Sequence, residues 1–153
     1  SGRGHKVSAF VPYGYDERQY CSPGFDLPIG SLTRTPHGQY PEYHTSADDL
    51  NFITAEALSE SLKMYLDVIE LLEYNLTYQN KNPKGEPQLG RRGLYRVMGG
   101  LPDAGQQEMA LLWVLNLSDN RHTLLDIAER SGLPFASIAQ AADRLLEFGL
   151  LER

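Results

Sequence analysis

Residues Thr123 to Leu151 read TLLDIAERSGLPFASIAQAADRLLEFGLL, and the punctuation of this stretch decides the fold of the last part of the chain. Thr123 stands just ahead of an apolar-periodic run, where a hydroxyl can accept from the free N–H groups of a helix start. The run Leu124 to Ser131 then stops at Gly132, a residue that ends helices by taking a left-handed conformation. Pro134 opens a second run, as proline does in a first helical turn. Ile138, Ala142, Leu145 and Leu146 recur there at three- and four-residue steps as far as Glu147. Gly149 closes it, and Leu150-Leu151 follow. Short helix, glycine turn, longer helix and apolar run predict a helix-turn-helix leading into a wing strand. The sequence ends at Arg153, so the expected wing is rudimentary.

Upstream, Glu108 to Leu117 is strongly apolar and predicts a third helix, with Leu111, Leu112, Val114 and Leu115. Residues 80–104 carry Pro83, Pro87, Gly90, Gly93, Gly99, Gly100 and Pro102, the composition of an irregular connector. Its Arg91, Arg92 and Arg96 either dock on an acidic surface or stand in solvent.

A long amphipathic helix is expected before the connector. Ser46 is its expected N-cap, with Asp49 three residues on and Asp48 in the first turn. Leu50, Ile53, Ala57, Leu58, Leu62, Tyr65, Ile69, Leu72 and Leu76 form a stripe expected to be buried, and Asn80 and Pro83 end the pattern. In residues 1–45, Lys6 to Val11 and Leu27 to Arg34 read as short strands between turns, followed by a Pro/Gly/His-rich loop from Thr35 to Tyr43. The expected organisation is an α/β segment over 1–79, a linker over 80–104, and an all-α winged-helix or helix-turn-helix domain over 105–153.

The chain has 153 residues with 41% hydrophobic content, enough to bury a core. No apolar stretch approaches the roughly 18 residues of a membrane span. A net charge of -6 reads against attraction to nucleic acid or anionic lipid. The lone Cys21 forbids an intrachain disulfide and fits a reducing, cytoplasmic setting. From Asp103 onward eight acids face four bases, and Arg144 is the only base in the Pro134–Glu147 helix. Phosphate contacts need Lys and Arg, so the domain reads as a packing or protein-interaction module.

The sharpest chemical signal is Tyr43-His44-Thr45-Ser46-Ala47-Asp48. An imidazole on a short tether between a loop and a helix start can ligate a metal, with a nearby carboxylate to orient its other N–H. On composition alone, such a histidine can equally be a surface or capping residue. His5, His37 and His122 lack ligand-like spacing, and nothing supplies a base to activate Cys21.

Tyr-His-Thr-x-x-Asp, as it stands at Tyr43 to Asp48, resembles the closing motif of the co-catalytic zinc aminopeptidases. Upstream, Asp16-Glu17-Arg18-Gln19-Tyr20 with Gly24 is similar to that family's Asp-His-x-x-Phe segment, with Glu17 where the family usually has histidine. The strings DERQYCSPGF, PEYHTSADDL, EPQLGRRGLY and LLDIAERSGLPF resemble a bacterial subgroup that carries a C-terminal winged helix. The resemblance implies a zinc-dependent aminopeptidase or amidase-like hydrolase in which metal-bound hydroxide attacks an amide carbonyl. It assigns His44 as the last metal ligand, with Asp16, Glu17, Tyr43 and Asp48 around it or in the pocket.

The other ligands and the general base would lie upstream of the matched segments. One histidine cannot hold a catalytic zinc, which takes about three protein ligands. The expectation is therefore a fragment, inactive alone, whose partner is the rest of the peptidase domain and whose parent takes a peptide or small amide substrate. Self-association stays open. So do two other classes: an inactive binding protein of peptidase fold, and a winged-helix DNA-binding regulator.

Overall fold

A computed structural model of the chain describes residues 5–14, 16–94 and 103–153. The chain divides into two units, Ser1–Ser61 and Leu62–Arg153. Arg96, Gly99, Gly100 and Pro102 of the connector lie outside the described residues.

The second unit is organised by helices α3 (Ala104–Leu117), α4 (Leu124–Ser131) and α5 (Phe135–Glu147) and by strands β1 (Thr77–Asn80), β2 (Asp119–Thr123) and β3 (Leu151–Glu152). The strands form one antiparallel sheet in the order β2-β1-β3. Thr77 faces Thr123 on one side, and Asn80 faces Leu151 on the other. The domain expected to be all-α therefore contains a sheet. Its central strand comes from residues read as the tail of the long helix, and its wing strand is two residues long.

Local chemistry sets the boundaries of α4. The Thr123 hydroxyl accepts from the Asp126 N–H at 3.2 Å, while the Asp126 carboxylate accepts from the Thr123 N–H at 2.8 Å. Gly132 closes the helix at φ 70°, which a side chain would strain. These residues are the predicted ones, as is Pro134 at the start of α5. Leu111, Val114, Leu124, Ile127, Ile138, Leu145 and Leu150 are all essentially buried, so the three helices share one core over the sheet. Two cross-links fix α3 on α5: Gln106 Nε2 donates to Ser137 Oγ at 3.1 Å, and the Arg144 guanidinium donates to Gln107 Oε1 at 2.9 Å. Leu89 and Leu94, within the stretch read as a connector, are also buried in this core. Residues 81–94 thus strap the unit.

The boundary between the units falls inside helix α2 (Ala55–Tyr74). The expected start at Ser46 is overturned. The Asp49 carboxylate accepts from the N–H groups of Asn51 (2.8 Å) and Phe52 (3.3 Å), making a local turn that competes with helix. The helix begins after Thr54, whose hydroxyl accepts from the Ala57 N–H at 3.1 Å. The expected buried stripe is overturned as well, because α2 buries no residue. Leu58, Leu62, Leu66, Ile69 and Leu72 are between 53% and 67% exposed.

In the first unit, Asp16–Tyr20 forms the short helix α1. The segments Lys6 to Val11 and Leu27 to Arg34, expected as strands, run as irregular backbone. Neither pairs with another strand among the described residues, and a strand without a ladder leaves its backbone groups unpaired. Arg34 instead reaches the start of α2, donating to Glu60 at 2.8 Å.

Candidate functional site

The loop from Tyr40 to Phe52 is folded by its own short polar side chains. The Thr45 N–H and hydroxyl both donate to the Glu42 carbonyl, at 3.1 and 2.8 Å. The same hydroxyl accepts from the Ala47 N–H, and the Asp48 N–H donates to the Thr45 carbonyl. These turns pinch the chain at His44, which sits at φ 57°, a left-handed conformation uncommon for a residue with a Cβ. Strain of this kind places a side chain where ordinary backbone would not, and a function is one reason to retain it.

His44 is exposed, and its ring stacks on half-buried Tyr43 with centroids 4.1 Å apart and planes 16° from parallel. Tyr43 meets His37 at 5.9 Å and Tyr40 edge-on at 5.6 Å. His37 continues to Tyr13 at 6.2 Å, and Tyr40 stacks on Phe52 at 5.7 Å. The result is a continuous aromatic layer with an imidazole at its rim. A recess of about 170 Å³ adjoins it, lined by Tyr13, Gly14, Arg18 and His37. Glu17 lies over Gly14 so closely that a Cβ there would strike its carboxylate.

His37, read from sequence as a surface residue, is the link between the recess and the Tyr43–His44 pair. No spacing rule pointed to it. Its role comes from contacts with Tyr13 and Tyr43, both in irregular segments.

Asp16 opens α1, and Asp48 is exposed, held through its backbone by Thr45. Among the described residues no group of three or more His, Cys, Asp or Glu could hold a metal ion. Asp16, Glu17 and Asp48, expected around His44 or in the pocket and not as ligands, therefore do not join it in a group of three or more such residues. The residues present offer a zinc ion one imidazole, which does not make a site on its own.

In the second unit, the helix that would read DNA has lost its one base to packing, because Arg144 is tied to Gln107. The Asp119 carboxyl is pulled down to about 2, mainly by the hydrogen bond from the His122 ring at 3.0 Å and then by the His122 and Arg121 N–H groups. The Asp126 carboxyl is lowered by the Thr123 backbone N–H and hydroxyl. No helix among the described residues is long and apolar enough to cross a membrane.

Residues 76–153 match the family described as winged helix-turn-helix. Residues 1–75 match a family described as a domain of unknown function (DUF4910). The chain is 50% identical over 151 residues to a Clostridium acetobutylicum protein named "Putative polysaccharide biosynthesis protein with aminopeptidase-like domain", covering 99% of this chain and 35% of that protein. A crystal structure of a "putative peptidase" from Clostridium acetobutylicum superposes with a TM-score of 0.85 at 46% identity, covering 99% of this chain and 32% of that one. The chain thus spans about a third of the length of the relatives it matches.

Proposed function

The chain belongs, through residues 76–153, to the winged helix-turn-helix family, and we propose that it is the C-terminal portion of a zinc-dependent aminopeptidase- or amidase-like hydrolase. In this reading His44 supplies one ligand of a metal site whose remaining ligands and general base lie elsewhere in the polypeptide. The winged helix serves as a protein-interaction module.

One observation carries the proposal. Similarity over nearly all of this chain, though over about a third of the relatives, to proteins named for peptidase-like domains coincides with a helix, α2, whose Leu58, Leu62, Ile69 and Leu72 are exposed. Leu58, Leu62, Ile69 and Leu72 repeat at helical spacing, the pattern of a face made for burial. The rest of a peptidase domain is the partner that such a face and such relatives call for. The strained backbone at His44 and the aromatic layer behind it fit a ligand presented at the edge of one part of a larger site.

Among this chain's own residues, Tyr43 fixes the imidazole plane by stacking, and the Thr45 turn sets the loop that carries it. The Tyr13–His37 recess beside them fits the wall of a pocket for a peptide or small amide. The test is hydrolysis of an aminoacyl anilide by a polypeptide of the relatives' length. Wild type should turn over, the 153-residue chain should not, and His44→Ala should lose at least a hundredfold in kcat/KM. Full activity in His44→Ala would remove the ligand assignment.

A further inference from the structure

Arg18 follows two acids in α1, Asp16 and Glu17, and among the described residues it pairs with neither. Neighbouring positions on a helix do not face each other, so adjacency in sequence does not bring these charges together. Arg34 and Lys63 each meet a carboxylate, at 2.8 and 3.1 Å. The Arg18 guanidinium has no such partner among the described residues. It is exposed, and it lines the recess of about 170 Å³ with Tyr13, Gly14 and His37.

The ionisable groups of the recess are a guanidinium, an imidazole and a phenol, with no carboxylate among them. A guanidinium presents paired N–H donors that match the two oxygens of a carboxylate. Glu17 lays its carboxylate over Gly14 but does not line the recess. Its charge opposes an anion there, and the fork of Arg18 has to outweigh it.

The recess is smaller than the roughly 300–1,000 Å³ of whole-ligand sites, so it suits one end of a molecule. Tyr13, 80% exposed and stacked on His37 at 6.2 Å, offers that end a flat apolar wall. From His37 the layer leads through Tyr43 to His44, by ring contacts of 5.9 and 4.1 Å. A molecule of about two to three extended residues covers that path.

We propose that the recess takes a carboxylate of the substrate in an ion pair with Arg18, so that the amide cleaved beside His44 is an anionic one, such as an acylated amino acid. This rests on the reading of His44 as a metal ligand in a hydrolase.

Two readouts test it. The ¹⁵N-labelled 153-residue chain is titrated with sodium benzoate, with benzamide and sodium phosphate as comparisons, and followed by NMR. The Arg18 Nε–H signal should move saturably with benzoate and stay still with benzamide, and added salt should weaken the binding. Phosphate binding as tight as benzoate would mean a general anion contact and would count against the proposal. In the second readout, a polypeptide of the relatives' length is given leucyl-4-aminobenzoate and leucyl-4-aminobenzamide, which differ in carboxylate against carboxamide. The carboxylate should be preferred about tenfold in kcat/KM, the gain expected from hydrogen bonds to a charged group. Arg18→Gln should erase both the preference and the benzoate binding. Its melting temperature should hold, because Arg18 is exposed. Arg18→Lys, which keeps the charge and loses the fork, should recover part of both.

Benzoate binding at Arg18 without turnover of either anilide would support the carboxylate site and remove the hydrolase reading. Equal turnover of the two anilides, a preference that survives Arg18→Gln, or no saturable shift with benzoate would overturn the proposal and leave the hydrolase reading in place.

Discussion

Replacing Leu62 and Ile69 by alanine separates a helix made for solvent from one made for a partner. In the 153-residue chain these side chains are 61% and 53% exposed. Alanine is the best helix former, so α2 itself should persist. Exposed substitutions of this kind stay within roughly 0.5 kcal/mol each, so the pair should cost under about 1 kcal/mol in the isolated chain. In a polypeptide of the relatives' length, where on the proposed reading a peptidase domain would cover the face, each would be a large-to-small core substitution costing about 2–5 kcal/mol. The two sites are two helical turns apart and should add, giving about 4–10 kcal/mol. Urea unfolding followed by circular dichroism, on both polypeptides with and without the double substitution, reads the contrast directly. A small loss in both would mean that α2 has no covering partner. A large loss in the isolated chain would mean that its exposed face is already in use.

The winged-helix unit supports narrower predictions. Thr123→Ala removes half of the reciprocal cap of α4 and should cost about 1 kcal/mol. In a unit of this size that lowers the melting temperature by about 4–8 °C, and Thr123→Ser should restore most of it. In His122→Ala the Asp119 carboxyl should rise from about 2 toward its ordinary 3.8 by NMR titration, and an unmoved value would discard the ring hydrogen bond as the cause. Because the folded-state pKa is the depressed one, the stability tied to Asp119 is present above about pH 4. It drains away as pH falls toward 2, and the variant should show less of this acid loss. A labelled DNA duplex should show no anisotropy change with the chain even at low ionic strength, since the unit is net acidic and Arg144 is engaged. Binding with a steep salt slope would restore the regulator reading.

The legible parts of the fold are those encoded within a few residues. Thr123, Asp126, Gly132 and Pro134 act on their own backbone neighbourhood, so their sequence positions mark the ends of α4 and the start of α5. Strand β1 is different: Thr77–Asn80 is four residues of ordinary polarity that become a strand by pairing with the distant β2 and β3. Helical periodicity running through Leu72 and Leu76 masked it. The same locality misled the start of α2. Ser46 and Asp49 have the spacing of a capping box, but Asp49 turns forward onto Asn51 and Phe52.

The candidate site was legible at His44 and Tyr43, where a compact motif sits in one loop. It was opaque at His37, whose place in the aromatic layer depends on Tyr13 and Tyr43 arriving from separate segments. The stripe on α2 is apolar, as its spacing implies, yet no residue of the helix is buried, because periodicity reports that a face wants cover and not where the cover comes from.

Zinc calorimetry on four samples asks whether His44 ligates a metal: the 153-residue chain and a polypeptide of the relatives' length, each with and without His44→Ala. The short chain should show no stoichiometric binding in either form, the longer wild type should bind tightly, and its His44→Ala variant should lose that binding. Tight zinc binding by the short chain, or undiminished binding in the longer His44→Ala variant, would contradict the assignment of His44 as one ligand of a site completed elsewhere.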